Sequence, residues 1–397
     1  MLLTAREAAD RLGVKLDTLY AYVSRGRLRS VVVSGTRERR YRAQDVEALR
    51  DARPGARPPL TPDQHALTPV IGSSICLIEN GCFFYRGRDA VRLADWASLE
   101  EIAKLLWLDA AGPEIAEVGG AIRSATALSA FGLIERCQLR IIALGGEAPP
   151  AVDLTRARVA RIGWRILREL ADCMAPSLPS SEPIHLRLAA AWKLPSAGAD
   201  LLRRCLVLIA DHELNASTYV ARCVASTGAS PYAVVAAAMS ALSGHRHGGE
   251  TERAEGLLLE LAQAQDAMAV MAGRLARGER LPGFGQPLYP EGDPRAAAIL
   301  GALDQAAPEA RALADRAAEI GLRLTGRRPN VDFALAATAI GLGLPRGAML
   351  GLFVIGRTVG WIAHAIEQYE SGVLIRPRAR YLGPRPEEVD RDTGSET

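Results

Sequence analysis

The chain has 397 residues, is 49% hydrophobic and 5% aromatic, and carries a formal net charge of +3. That length allows two or three domains with a large core, and abundant Ala with few aromatics and short β-branched runs points to a mainly helical protein. The apolar stretch over residues 333–345, broken only by Thr338, is too short for a bilayer, and no apolar stretch follows the opening Thr4-Ala5-Arg6-Glu7, so neither a membrane span nor a signal peptide is expected.

The six cysteines (Cys76, Cys82, Cys137, Cys173, Cys205 and Cys223) show no CxxC spacing and sit in apolar segments such as Cys205-Leu206-Val207-Leu208. They read as reduced core residues of a cytoplasmic protein, not as a disulfide or zinc framework. The net charge hides an asymmetry. Residues 1–53 hold 12 Arg and Lys against 7 Asp and Glu, whereas the remainder holds 36 against 38. A nucleic-acid partner is therefore sought in the first segment.

In chain order, Thr4 and Glu7 form a capping-box pattern that predicts a helix from Ala5 burying Ala8, Ala9 and Leu12, ended by Gly13. A second helix is predicted from about Leu16 to Ser24, closed by Gly26. Val31-Val32-Val33, the turn Ser34-Gly35 and the basic run to Tyr41 read as a hairpin wing. A third helix, Ala43 to Arg50, packs Val46 and Leu49 inward. The text Thr4-Ala5-Arg6-Glu7-Ala8-Ala9-Asp10-Arg11-Leu12-Gly13-Val14, with Thr18-Leu19-Tyr20 and Tyr41 to Val46, resembles the winged helix-turn-helix of excisionase and MerR-like DNA-binding proteins. That resemblance implies DNA as a partner, with Lys15, Thr18 and Tyr22 at the major groove and Arg37, Arg39 and Arg40 on phosphates or the minor groove. The bland alternative is a unit used only for packing or dimerisation.

A stiff, Pro-rich linker is expected over residues 54–66. Residues 67–383 show the helical periodicity and Gly/Pro punctuation of one large all-α unit, in which Ser98 and Glu101 form a further capping box. The tail over 384–397 is charged and polar and is expected to be disordered. No internal repeat is evident.

Three runs carry the chemistry: Asp211-His212-Glu213-Leu214-Asn215-Ala216-Ser217-Thr218, His247-Gly248-Gly249, and Gly283-Phe284-Gly285-Gln286 through Asp293-Pro294-Arg295. Pro329-Asn330-Val331-Asp332-Phe333 follows them. Together with Tyr85-Arg86-Gly87, Gly356-Arg357 through Trp361, and Ile375-Arg376-Pro377, this text resembles the citrate synthase family, citrate and 2-methylcitrate synthases included. The resemblance implies a mainly helical fold with a large domain and a smaller one, roughly 228–338, closing over a cleft. It also implies a homodimer, and a condensation of acetyl-CoA or propionyl-CoA with oxaloacetate or a related 2-oxo dicarboxylate that releases CoA. No cofactor or metal is implied beyond the CoA thioester, which is a substrate.

Such a condensation needs a carboxylate base and two donors to oxygens that gain negative charge. Asp332, between Val331 and Phe333, is the candidate base, since an apolar setting raises a carboxylate's pKa. Taken alone it would read as a helix N-cap. By the resemblance, His247 donates to the thioester oxygen, with an unremarkable loop histidine or a metal pair with His245 as alternatives. No third or fourth ligand is spaced to match a metal. His212 binds the oxo acid, where a lone helix His would read as a satisfied buried side chain. Arg295, Arg357 and Arg376 grip carboxylates, Arg376 across the dimer interface.

Two departures stand out. The family holds a His at the position of Gln286, and a Gln amide is a neutral donor that cannot release a proton. Glu250-Thr251 follows His-Gly-Gly where the family commonly has Ala-Asn, which adds a carboxylate. Gln286 and the basic first segment together leave a rival reading, a transcription regulator using a catalytically weak synthase body as a metabolite sensor. Other templates fail: Gly341-Leu342-Gly343 lacks a dinucleotide-loop setting, and neither a Walker-type loop nor a GxSxG elbow occurs.

Overall fold

A computed structural model describes residues 2–46, with breaks at 13, 15, 25–27, 29, 33–38 and 43–45, and then residues 71–107, 131–148, 153–175 and 182–377. The linker over 54–66, all but Val46 of the helix expected over 43–50, and the tail from 384 lie outside these residues. The chain divides into two compact units, 1–71 and 72–397.

The first unit contains β1 (Leu2–Leu3), α1 (Ala5–Leu12), α2 (Leu16–Ser24), β2 (Ser30–Val32) and β3 (Arg39–Arg42). The expected capping box forms: the Thr4 N–H donates to Glu7 Oε2 at 2.7 Å, and the Glu7 N–H donates to Thr4 Oγ1 at 3.2 Å. Ala8, Ala9 and Leu12 of α1 meet Leu19, Leu28, Tyr41 and Val46 in one small core. The sheet is antiparallel in the order β1-β3-β2, with Val31 opposite Arg40. The expected hairpin is thus extended by β1, a two-residue strand that exists only through its pairing with β3 and leaves no periodic signal.

The second unit opens with a meander that helical periodicity missed: β4 (Cys76–Glu79), β5 (Cys82–Tyr85) and β6 (Arg88–Asp89). Its two-residue turns, Asn80-Gly81 and Arg86-Gly87, all have positive φ, at 52°, 76°, 45° and 77°. That is the geometry that matches the right-handed twist of paired strands. Cys82 lies exposed on this hairpin and corrects the expectation that all six cysteines are core; Cys137 and Cys205 are buried. Along a strand, alternate residues face outward.

Helices follow: α3 (Ala90–Leu93), α4 (Leu99–Trp107), α5 (Leu133–Glu147), α6 (Arg156–Met174), α7 (Ile184–Ala191), α8 (Ser196–Leu208), α9 (Ala216–Ala225) and α10 (Pro231–Leu242). Then come α11 (Gly249–Gln263), α12 (Ala267–Ala276), α13 (Pro294–Ala306), α14 (Pro308–Thr325), α15 (Val331–Gly341) and α16 (Ala348–Ser371). The Ser98–Glu101 box closes on both sides at 2.7 and 3.2 Å. Helix α15 is packed by α11, α13 and α14, so its first turn is fixed from three sides.

Helix α16 packs against α4, α6, α9 and α10. Contrary to the sequence expectation, it is long and apolar enough to cross a membrane, but its apolar window is wholly buried within the protein, as a core helix requires. Arg357 interrupts its apolar run, which is why a search for uninterrupted runs passed it over. The Trp107 indole N–H donates to the Val359 carbonyl at 2.9 Å. Gly360 allows the closest approach: its N–H donates to the Ala210 carbonyl at 3.0 Å, and an added Cβ would meet that carbonyl and the Asp211 carboxylate. Gly360→Ala is expected to lower the unfolding free energy by about 1–3 kcal/mol. Chemical denaturation checks this, and an unchanged midpoint would mean that the crossing relaxes freely.

Candidate active site

Asn330 organises the start of α15. Its Oδ1 accepts from the N–H groups of Asp332 and Phe333 at 3.0 and 3.3 Å, and its Nδ2 donates to the Gly285 carbonyl at 3.1 Å. The cap is therefore Asn330, and the N-cap reading of Asp332 is corrected. Freed from capping, the half-buried Asp332 side chain accepts from Thr251 Oγ1 at 2.6 Å. Burial raises the Asp332 carboxyl to about 6; Glu250 pushes the same way, while Thr251 and Arg295 oppose it.

The loop 283–289 lies across this helix start. Gly283 and Gly285 take φ of 81° and 82°, and a Cβ on Gly283 would lie 2.8 Å from that of Phe333. Only Gly fits there without strain. The Gly283 N–H donates to Glu250 Oε1 at 3.1 Å, and its carbonyl accepts from the Asn330 N–H at 2.9 Å. Gln286 is half-buried, and its Oε1 accepts from the Leu288 N–H at 3.3 Å. With the amide oxygen held by its own loop, the NH2 group is the end left to donate.

His212 lies buried between α8 and α9, with Nε2 at 2.9 Å from the Tyr289 hydroxyl. Burial, then the charges of Arg295 and Arg357, push its pKa well below the usual range, so the ring is neutral. The next residue, Glu213, has φ 55°, a strained conformation for a non-glycine, held by its N–H donating to Asp211 Oδ2 at 2.9 Å. Arg357 is buried in mid-α16. Its Nε donates to the Ile209 carbonyl at 2.8 Å, and Nη1 meets no acceptor among the described residues.

Arg295 is also buried, but its fork closes on Asp293, with Nε and Nη2 at 2.9 and 2.8 Å from the two carboxylate oxygens. Asp293 Oδ2 accepts in addition from the Val331 N–H at 3.0 Å, tying Arg295 to the start of α15. Arg376 lies exposed beyond the end of α16.

His247 is half-buried just before α11, with Nε2 at 2.9 Å from Ser217 Oγ. The same hydroxyl lies 2.9 Å from Asn215 Oδ1 and accepts from the Trp361 indole N–H at 3.3 Å. Ser217 has one proton. It goes to Asn215 Oδ1, which can only accept, so neutral His247 carries its hydrogen on Nε2, towards Ser217; turning the hydroxyl to Nε2 would move that hydrogen to Nδ1. Burial, then Arg357, lowers His247 to about 4, so the ring is neutral near pH 7. His245 is exposed, and among the described residues no group of three or more His, Cys, Asp or Glu is arranged for a metal.

In the first unit Thr18 is half-buried, Arg39 is exposed on β3 and Arg40 is half-buried. Tyr22, expected at the groove, packs against the small core, and Tyr20 is the exposed tyrosine of α2. The cause is helical spacing: Tyr22 shares the inward side with Leu19 and Val23. Lys15 and Arg37 lie outside the described residues. Sequence reasoning assigned no role to Tyr289, Ser217, Asn330 or Asp293. All four lay inside the runs that carried the resemblance, so the signal was adjacency to those motifs.

Residues 125–378 match the family model described as citrate synthase, C-terminal domain, and residues 2–54 match a helix-turn-helix domain. The citrate synthase of Haloferax volcanii is 40% identical over 194 residues, covering 47% of this chain and 51% of that protein. The 2-methylcitrate synthase 1 of Corynebacterium glutamicum is 35% identical over 191 residues, covering 47% of this chain and 50% of that protein. The chain thus spans about half the length of these curated relatives. Among solved structures, the ternary complex of the Thermoplasma acidophilum citrate synthase with carboxymethyl coenzyme A and oxaloacetate is similar at TM-score 0.68 and 25% identity, covering 80% of this chain and 94% of that one. With its helical body, its motif-bearing cluster and a family model matched over most of its length, the chain belongs to the citrate synthase family.

Proposed function

We propose that the protein condenses an acyl-CoA, acetyl-CoA or propionyl-CoA, with oxaloacetate or a related 2-oxo dicarboxylate and releases CoA. Asp332 takes the α-proton of the thioester. His247 donates to the enolate oxygen, and the carbanion attacks the ketone carbon while Gln286 donates to the ketone oxygen. Since Gln286 has no proton to release, the alkoxide takes its proton from a water molecule, and hydrolysis of the thioester then releases CoA as its thiol. His212, Arg357 and the Nη1 end of Arg295, which Asp293 leaves unengaged, hold the oxo acid, and the part around 228–338 closes over it.

The observation that carries this reading is Arg357: a buried guanidinium with a free Nη1, beside neutral His212. A buried, unsatisfied charged donor is costly, and a substrate carboxylate would supply its partner. Arg376 completes the grip from a partner subunit in a homodimer. In support, Val373 and Leu374 before it are 62% and 56% exposed, an apolar segment with nothing covering it among the described residues. The chemistry calls on no cofactor beyond the CoA thioester.

Thiol release from acetyl-CoA and propionyl-CoA in the presence of oxaloacetate tests the reading. Because the base must be ionised, kcat/KM should rise as pH increases through about 6 and then level off, with His247 already neutral across that range. No thiol release from either acyl-CoA at any pH would overturn it. A second reading rests on two observations, the matched helix-turn-helix domain and Gln286: a DNA-binding regulator whose synthase body senses the oxo acid or the acyl-CoA.

A further inference from the structure

We propose that Glu250 and Thr251, the pair that departs from the family text, position Asp332 and set which of its oxygens takes the proton. This rests on Asp332 as the base. The Thr251 side chain is buried at 1% exposure in the first turn of α11, and its Oγ1 donates to Asp332 Oδ1 at 2.6 Å. A β-branched residue in a helix has little χ1 freedom, so the hydroxyl is held in place by its backbone. The other carboxylate oxygen, Oδ2, receives no hydrogen bond among the described residues. Thr251 therefore occupies one oxygen and leaves Oδ2 as the acceptor.

Glu250, one residue earlier, acts in the opposite sense. Its Oε1 accepts from the Gly283 N–H at 3.1 Å, and Oε2 lies 3.4 Å from Arg253 Nη1. It thereby ties the loop bearing Gln286 to the same helix turn that bears Thr251, and places a like charge near Asp332. The charged groups facing Asp332 are Glu250 from α11 and Arg295 with Asp293 from the start of α13. The hydroxyl and Arg295 favour the carboxylate, whereas Glu250 and Asp293 disfavour it. Neither Ala nor Asn at these two positions supplies both a fixed hydroxyl and a carboxylate, so the pair belongs to this chain.

The test reads Asp332 directly. Carboxyl carbon NMR of full-length protein labelled at aspartate, with the signal assigned by its loss in Asp332→Asn, gives the titration midpoint without requiring turnover. Thr251→Val should move the midpoint upward by about one pH unit, because a hydrogen bond to the charged form is lost. Thr251→Ser should restore it, and Glu250→Gln should move it downward. The pH midpoint of α-proton exchange from acetyl-CoA in deuterium oxide should shift in the same directions. An Asp332 titration unmoved by both Thr251→Val and Glu250→Gln overturns the proposal. If Thr251→Val does not fold, Thr251→Ala, which also lacks the hydroxyl, and Glu250→Gln decide it. Exchange that is unaffected by Asp332→Asn sinks the base assignment instead, and leaves the NMR result on the pair standing.

Discussion

Asp332→Asn is expected to lower thiol release by about a hundred- to ten-thousand-fold, the usual contribution of a positioned general base. The substitution is nearly isosteric and spares what holds the site. Asn330 still caps α15, and Thr251 can still bond the new amide oxygen. Arg295 remains closed on Asp293. What disappears is a carboxylate poised near 6. Oxaloacetate binding, measured by calorimetry, should stay within a few-fold of wild type, since the grip is assigned to His212, Arg295 and Arg357. Wild-type thiol release no higher than that of Asp332→Asn would refute catalysis by this chain, whatever it binds.

Much of the candidate site is legible in the sequence, because its residues sit in short runs with little freedom of register. The order of the runs placed His212, His247, Gln286 and Asp332, and the spacing of Thr4 and Glu7, or of Ser98 and Glu101, located two helix starts that form as expected. Pairing was not readable. That Arg295 closes its fork on Asp293, two residues earlier, whereas Arg357 reaches the Ile209 carbonyl 148 residues away and keeps Nη1 free, depends on the packing around each guanidinium. The meander around Asn80-Gly81 escaped for a different reason: its strands are four residues or shorter, below the length at which alternation stands out against helical periodicity. The Asn-Gly turn itself was the available signal. Tyr22 faced inward because the axis of a short helix is set by the core it joins, and propensity alone does not give its rotation.

Gln286→His is expected to raise turnover, by up to about a hundred- to thousand-fold if the missing donor limits the rate. The loop would accept the change: its path is set by Gly283, Gly285 and the bonds to Glu250, Arg328 and Asn330, none of which involves the Gln286 amide. A His there donates and can also release a proton as the alcohol forms, whereas the amide only donates. Because Gln286 still offers N–H, part of the oxyanion stabilisation is already present, which sets the gain nearer the lower end. The same variant separates the two readings of the protein when paired with DNA binding by wild type. A large gain, with DNA affinity that falls steeply as salt rises, supports a sensor whose ligand shifts the protein between DNA-binding states. Robust wild-type turnover, little gain in the variant and no DNA binding at low salt leave an enzyme in which a glutamine suffices at the ketone. In that case the helix-turn-helix unit serves packing or dimerisation.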